Sequence, residues 1–315
     1  MKVPLEKLYN KHLNEDCIIV GAGPTMKQFN YKKFRGKIIF LGSVILRFDR
    51  EIKPHYLISS NNHFPVLEIE SHLKLLNSLK KTFWIMSDTS CYNDIWKFDP
   101  EKFGKLKIKY STFDDRHYNL QKCTPQKECC KFLTIYPKRR SLIETIERKL
   151  NFNYKYKNLS GVSVAEHAIG IAVFMGFKNI LIQGVDLPRK YYQGQKLDSK
   201  KEYYGFKSKY ATKILDETLR ICRRKYFFYY LKNLDFIPYL KGLVVRFKKI
   251  MKNDYSDFNE GIENSLKLIQ WLFNIHSNRN KKIIILNKNS ELAKLKNINL
   301  ISEKEMKKKY KNMFK

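Results

Sequence analysis

Short apolar runs punctuate this chain at fairly regular intervals, and each stops at small or polar residues. Cys17–Val20 (CIIV), Lys37–Leu41 (KIIFL), His55–Ser59 (HYLIS), Thr82–Met86 (TFWIM), Ile180–Ile182 and Lys282–Leu286 (KIIIL) are all too short for helices. Their continuous apolar character, without alternation, is that of strands buried on both faces of a parallel sheet. A Lys-rich piece at 105–110 is also strand-like. Between the runs lie helical patterns. Ser141–Leu150 is a short helix, and 260–275 is an amphipathic one with Ile262, Leu266, Ile269 and Phe273 in register. Residues 1–15 read as a charged helix or a loose lead-in, and the tail from Glu303 as a basic helix or a disordered end.

The most informative stretch is Ser160–Leu187, SGVSVAEHAIGIAVFMGFKNILIQGVDL. Ser163 and Glu166 have the spacing of a capping box. Val164 to Phe174 is apolar almost all round, so the helix is expected to be buried. Gly176 stands where the helix should stop, in a position that favours positive φ. The strand that follows ends at Gly184 and carries Asp186 to its C-terminal end. In open α/β sheets that edge binds ligands. The expected fold is therefore α/β and Rossmann-like, a mostly parallel sheet with helices on both faces. Residues 1–206 and 255–301 form its nucleotide-binding domain. Residues 207–254 are a basic amphipathic lid or membrane-contact insertion, and 302–315 are a basic tail.

Composition adds charge to this picture. The chain has 315 residues, 62 Lys+Arg and 30 Asp+Glu, for a formal charge of +32. Such an excess suits an anionic partner: a nucleotide, nucleic acid or an anionic lipid surface. Coding bias towards Lys, Asn, Ile and Tyr accounts for it equally well. Between Arg189 and Lys252 there are 18 Lys+Arg against 5 Asp+Glu. There YLKGLVVRFKKIMK gathers Leu240, Leu243, Val244, Phe247, Ile250 and Met251 on one helical face. An interfacial membrane helix and a core-packing helix with a basic outer face both fit. No nucleic-acid motif is present, so no nucleic-acid partner is expected. The six cysteines contain no C-x-x-C pair and no zinc-site spacing, which points to free thiols and no metal. The N-terminal residues lack an apolar core, and no window approaches the roughly 18 apolar residues of a membrane span. A cytoplasmic protein, peripheral at most on the inner face of the membrane, is expected.

Candidate chemistry collects at strand ends. GAGPT follows the first strand, with Gly21 and Gly23 permitting a sharp turn, Pro24 suited to a first helical turn and Thr25 offering a hydroxyl. A turn without a ligand is an equal reading, since the sequence is neither a full G-x-G-x-x-G nor a Walker A motif. Ser43 follows the second strand, and Asn61, Asn62 and His63 follow the third. Amides at such points both donate and accept, as recognition of a base or ribose requires. The Lys- and Tyr-rich segment after Asp186 is long enough for a lid, with a solvated loop as the competing reading.

Three local sequences in order, GAGPT, LSGVSVAEHAIGIAVFMGFKNILIQGVDL and IIILNKNSEL, resemble the bacterial sialyltransferases of glycosyltransferase family 42. They also resemble the related group described as 6-hydroxymethylpterin pyrophosphokinase MptE-like. The resemblance covers roughly 15–62, 155–210 and 280–295. It implies a Rossmann-like, GT-A-type domain that holds a nucleotide, often CMP. It implies transfer of a sialic-acid-like sugar from a CMP-sugar donor to a cell-surface glycan acceptor such as a lipooligosaccharide. Gly21, Gly23, Pro24 and Thr25 match the family's G-x-G-P-S turn, and Asn61 or Asn62 its asparagine after strand three. Ser160 and Gly161 match its T-S-G turn, with Leu159 in place of Thr. Gly184 and Asp186 match its G-x-D, and Asn289 and Ser290 the late N-S turn over the base.

Three departures stand out. Ser43 replaces an asparagine, and Lys157 an arginine. Phe206 falls where the family has its proposed general base, a histidine. Attack by an acceptor hydroxyl needs a proton acceptor, so Asp186 or His63 becomes the candidate catalytic residue. Lys157, Tyr191, Tyr192 and Tyr203 are candidates for holding the departing phosphate, which would reduce the need for a metal. No cofactor is expected; Mg²⁺ enters only under the alternative of an MptE-like diphosphokinase using ATP. A non-catalytic nucleotide-binding protein is the third reading, and a homo-oligomer is compatible with all three.

Overall fold

The apolar runs assemble into one sheet in which every pairing is parallel. A computed structural model of the chain describes residues 1–23, 25–26, 29–48, 52–59, 70–87, 104–113, 142–152, 164–185, 220, 256–288 and 290–314. The strands are β1 (Asp16–Val20), β2 (Lys37–Leu41), β3 (Tyr56–Ser59), β4 (Phe83–Ser87), β5 (Lys109–Phe113), β6 (Asn179–Gln183), β7 (Lys282–Ile285) and β8 (Asn299–Leu300). Their order across the sheet is β5-β4-β3-β2-β1-β6-β7-β8. The chain thus winds outward from β1 to β5, returns to the other flank of β1, and winds outward again. β1 and β6 pair in register, Ile18 opposite Leu181 and Val20 opposite Gln183. Cys17, Ile18, Ile19 and Val20 have no exposed surface, as expected of a central strand covered on both faces.

Helices described between the strands are α1 (Glu70–Ser78), α2 (Leu142–Leu150), α3 (Val164–Phe174) and α4 (Ser256–Asn278), followed by α5 (Glu303–Lys309). Crossovers between parallel strands are right-handed, so α1, which steps towards β4, lies on the opposite face from α3 and α4, which step towards β6 and β7. That is the two-sided α/β layering expected. Helix α3 coincides with the apolar segment read from the sequence and is buried from Ala165 to Phe174. A Cβ at Gly170 would stand 3.1 Å from Ile146 Cδ1 and 3.7 Å from Leu272 Cδ1, so the missing side chain lets α2 and α4 close on α3. Gly176, with φ +81°, ends the helix as expected.

Elsewhere the boundaries move for local reasons. The strand expected at 105–110 begins instead at Lys109. The Asn77 amide of α1 donates to the Lys105 carbonyl (3.1 Å) and accepts the Lys107 N–H (2.8 Å), which holds the preceding residues outside the ladder. The tail is ordered: Ser302 and Glu305 form a reciprocal capping box on α5. Met306 and Met313 are buried, and Phe314 packs with Phe29 and Phe34. The box read at Ser163 and Glu166 has its first residue outside the described set, as does the insertion expected at 207–254 apart from Arg220.

The first fifteen residues run beneath the N-terminal edge of the sheet. Lys2 bridges Tyr110 of β5, and the N–H groups of Asn10 and His12 reach the carbonyls of Phe174 and Met175. His12 stacks on Phe177 with ring centroids 4.6 Å apart. Its Nδ1 donates to Glu15 (2.7 Å), a carboxylate being able only to accept; the neutral ring's Nε2 then accepts from the Tyr56 hydroxyl (2.6 Å). Among the described residues no helix is long and apolar enough to cross a membrane.

Candidate functional site

Open α/β sheets bind ligands beyond the carboxyl ends of the strands, where the winding direction reverses. Here the reversal falls between β1 and β6. The turn leaving β1 is laced onto the exit of β6: the Gly21 N–H donates to the Gln183 carbonyl (2.8 Å) and the Gly23 N–H to the Gly184 carbonyl (2.8 Å). Gly184 adopts φ +69°. A Cβ there would lie 2.5 Å from the Gly21 carbonyl oxygen and 2.8 Å from Met26 Cβ. The two glycines are therefore required by each other's backbone, whatever binds above them. Gly21 and Gly23 thus spend their N–H groups on the exit of β6, and those two amides are not available to a phosphate in the manner of a P-loop. Of the described residues of the turn, Ala22 is the exposed one.

Gln183 anchors the same turn from below. It is the last residue of β6, 3% exposed, and its Nε2 donates to the Thr25 carbonyl. Its Oε1 is buried and has no hydrogen-bond partner among the described residues. Met26 N–H bonds back to the Gly23 carbonyl (3.1 Å), and the Tyr31 hydroxyl donates to the Met26 carbonyl (2.5 Å). The exit of β7 joins from the far side. Ser290 Oγ donates to the Val185 carbonyl (2.8 Å) and accepts the Leu292 N–H (3.2 Å), capping a short 3₁₀ turn, Glu291–Lys294.

Of the residues singled out in the sequence, Gly21, Gly23, Thr25, Gly184 and Ser290 are thus gathered at one rim. Ser43 lies in the 3₁₀ helix Gly42–Phe48 that follows β2 at the same edge. Pro24, Asn61, Asn62, His63, Lys157, Ser160, Gly161, Asp186, Tyr191, Tyr192, Tyr203 and Asn289 lie outside the described residues. In sequence, Asn61, Asn62 and His63 follow Ser59, the last residue of β3, and Asp186 follows Val185.

Three polar residues here were not singled out as site residues. Gln183 ends an otherwise apolar strand, and a polar last residue on a doubly covered strand was the available signal. Glu166 and His167, 1% and 7% exposed, sit in the first turn of α3, and the His167 ring packs 5.2 Å from Phe113 at the end of β5. Two ionisable residues inside the run VAEHAIGIAVF marked that turn. The residues with resolved pKa shifts lie at the opposite edge, on the surface or in the core. Burial lowers His12 and His55, lowers His276 to about 3 and Lys281 to about 8, and raises Tyr56 and the inert Cys17 thiol. Among the described residues no cluster of three His, Cys, Asp or Glu side chains could hold a metal.

No protein-family model matches the chain, and no curated protein matches it. Solved structures similar to it include the sialyltransferase CstII from Campylobacter jejuni in complex with cytidine-5'-monophosphate, at 13% identity and TM-score 0.38, covering 96% of this chain and 99% of that one. The same enzyme in complex with CMP-3FNeuAc matches at 12% identity and TM-score 0.37, covering 96% and 100%. An alpha-2,3-sialyltransferase from Campylobacter jejuni in apo form matches at 18% identity and TM-score 0.29, covering 66% of this chain and 75% of that one.

Proposed function

We propose that this chain is a glycosyltransferase that moves a sialic-acid-like sugar from a CMP-activated donor to a cell-surface glycan acceptor. The observation that carries the reading is the convergence of three strand exits at the switch point. Gly21–Thr25, Gly184–Val185 and Ser290 come from three separated segments. Each belongs to one of the three sequence motifs that resemble bacterial sialyltransferases.

In the proposed reaction an acceptor hydroxyl oxygen attacks the anomeric carbon, the bond to the CMP phosphate breaks, and the hydroxyl proton passes to a base. Asp186, two residues beyond the Gly184 turn, is assigned as that base, with His63 as the alternative. Lys157, Tyr191, Tyr192 and Tyr203 are assigned to the departing phosphate. The late turn at Asn289 and Ser290 is assigned to the base of the nucleotide.

Titration calorimetry with CMP, CDP, ATP and GMP, in EDTA and then with Mg²⁺, tests this. CMP binding in EDTA is the expected result. Magnesium-dependent ATP binding would instead favour the diphosphokinase, and no nucleotide binding would remove the site. Asp186→Asn is expected to abolish transfer while leaving CMP binding and the melting temperature close to wild type. Unchanged turnover would exclude Asp186.

A further inference from the structure

The edge of the sheet opposite the candidate site carries a pattern that catalysis does not use. Six strands are introduced by a lysine: Lys37 and Lys109 are the first residues of β2 and β5, Lys282 of β7, and Lys178 immediately precedes β6. Lys81 precedes β4 by two residues and Lys53 precedes β3 by three. Because all strands are parallel, all six come to one edge. From β5 to β7 the row crosses six strand spacings, about 29 Å at roughly 4.8 Å each. All but Lys37 are exposed.

Among the described residues two carboxylates stand at the start of β1, beside this row: Glu15 pairs with Lys37 (3.1 Å) and His12, and Asp16 accepts from the Asn179 amide (2.6 Å) and faces Lys178. Lys11, from the segment beneath the sheet, lies over the rings of Phe83 (5.5 Å) and Tyr56 (5.8 Å). Its pKa is lowered by burial and then by Lys109 and Lys37, with Glu15 only partly offsetting them, as expected where cations crowd together.

The second observation is apolar. Among the described residues three large hydrophobic side chains are exposed. Leu13, 47% exposed, sits two residues from Lys11 and beside Gly176 at the C-terminal end of α3. Met1, 67% exposed, is held by backbone bonds to Ile108 and Tyr110 where β5 begins. Both belong to the lysine edge, and only Leu300 lies at the other. Cations interleaved with exposed apolar side chains are the makings of an interfacial surface.

We propose that the N-terminal edge of the sheet docks on an anionic phospholipid surface, with Leu13 and Met1 entering the headgroup layer. Lysines near such a surface are attracted to it over about a Debye length, so salt should weaken the docking. A nucleic acid would fit the charge alone, but this edge exposes no described aromatic side chain on which bases could stack. Docked this way, the β1 and β6 exits, at the opposite edge of the parallel sheet, face away from the lipid.

The test is co-sedimentation of the full chain with vesicles of phosphatidylglycerol in phosphatidylcholine, against phosphatidylcholine alone. Binding to the anionic vesicles only, weakening with salt, is expected. Lys53→Glu, Lys81→Glu, Lys109→Glu and Lys178→Glu combined should weaken it at least tenfold, with the far-UV spectrum and melting temperature retained. The same four changed to Arg should bind as wild type, and Leu13→Ser should weaken binding several-fold. Three results would overturn the proposal. One is wild-type binding by the four-Glu variant. Another is loss confined to Lys248→Glu, Lys249→Glu and Lys252→Glu in the basic segment. The third is tighter binding to a single-stranded RNA oligomer than to the vesicles.

Discussion

Gly184 and Gly21 come together so closely that a Cβ on Gly184 would fall 2.5 Å from the Gly21 carbonyl oxygen, and one on Gly21 would overlap Gly184 more severely still. Alanine at either position must part the exits of β1 and β6. Gly184→Ala also forces a side chain into φ +69°. A loss of about 3 kcal/mol is expected for Gly184→Ala and about 2 kcal/mol for Gly21→Ala. Urea denaturation measures both. An unchanged midpoint for Gly184→Ala would mean the two backbones do not meet as described.

Gln183→Leu separates positioning from stability. The change removes the donor to the Thr25 carbonyl but also removes a buried, unpartnered acceptor, so the two costs partly cancel in the fold. The melting temperature should move by only a few degrees, while CMP affinity falls about tenfold as the Gly21–Thr25 turn loosens, roughly 1.4 kcal/mol. Calorimetry beside thermal melting reads both. A large drop in melting temperature with intact affinity would make Gln183 a core residue and nothing more.

Ser290 ties the exit of β7 to that of β6 and caps the turn after it. Ser290→Ala leaves the Leu292 N–H without its acceptor and should cost about 1 kcal/mol. Ser290→Thr, which keeps the hydroxyl, should recover most of it. Equal stability of the alanine and wild-type proteins in urea would remove the tie.

Acid should weaken the fold through His276. Burial, reinforced by Lys281 and then Arg279, holds its pKa at about 3 against an ordinary 6.5. Between those values the unfolded chain binds a proton that the folded chain refuses, so stability is lost as pH falls through 6.5 and continues to fall towards 3. At pH 5 the loss from this residue is about 2 kcal/mol relative to neutral pH. His12 and His55, also lowered by burial, act in the same direction. Denaturation midpoints at pH 7.5 and 5 should therefore differ, and His276→Phe should flatten the slope. A variant with an undiminished slope would assign the acid sensitivity elsewhere.

Much of the sheet was legible because a doubly covered strand has no polar face: CIIV, KIIFL and KIIIL can be little else. Helix α3 was legible for the same reason, with Gly176 to stop it. β8 was not, because Asn299–Leu300 is too short to leave a pattern. β5 was misplaced because an Asn77 side chain on another element decides where the ladder begins. The tail from Glu303 was read as a basic helix or a disordered end, and the capping box at Ser302–Glu305, present in the sequence, is what decides for the helix. The turn after β1 was recognised as glycine-dependent. That the dependence is on Gly184, more than 160 residues away, is a tertiary fact no local pattern carries.

The pairing of β1 with β6 has a consequence for synthesis. Val20 and its partner Gln183 are separated by just over half the chain, so β1 waits with one bare edge until residue 183 has left the ribosome. Contacts so distant in sequence form slowly, and an unpaired apolar strand invites intermolecular pairing meanwhile. A truncation ending before Asn179 would keep that edge open permanently, and such a fragment should accumulate in inclusion bodies while the full chain does not.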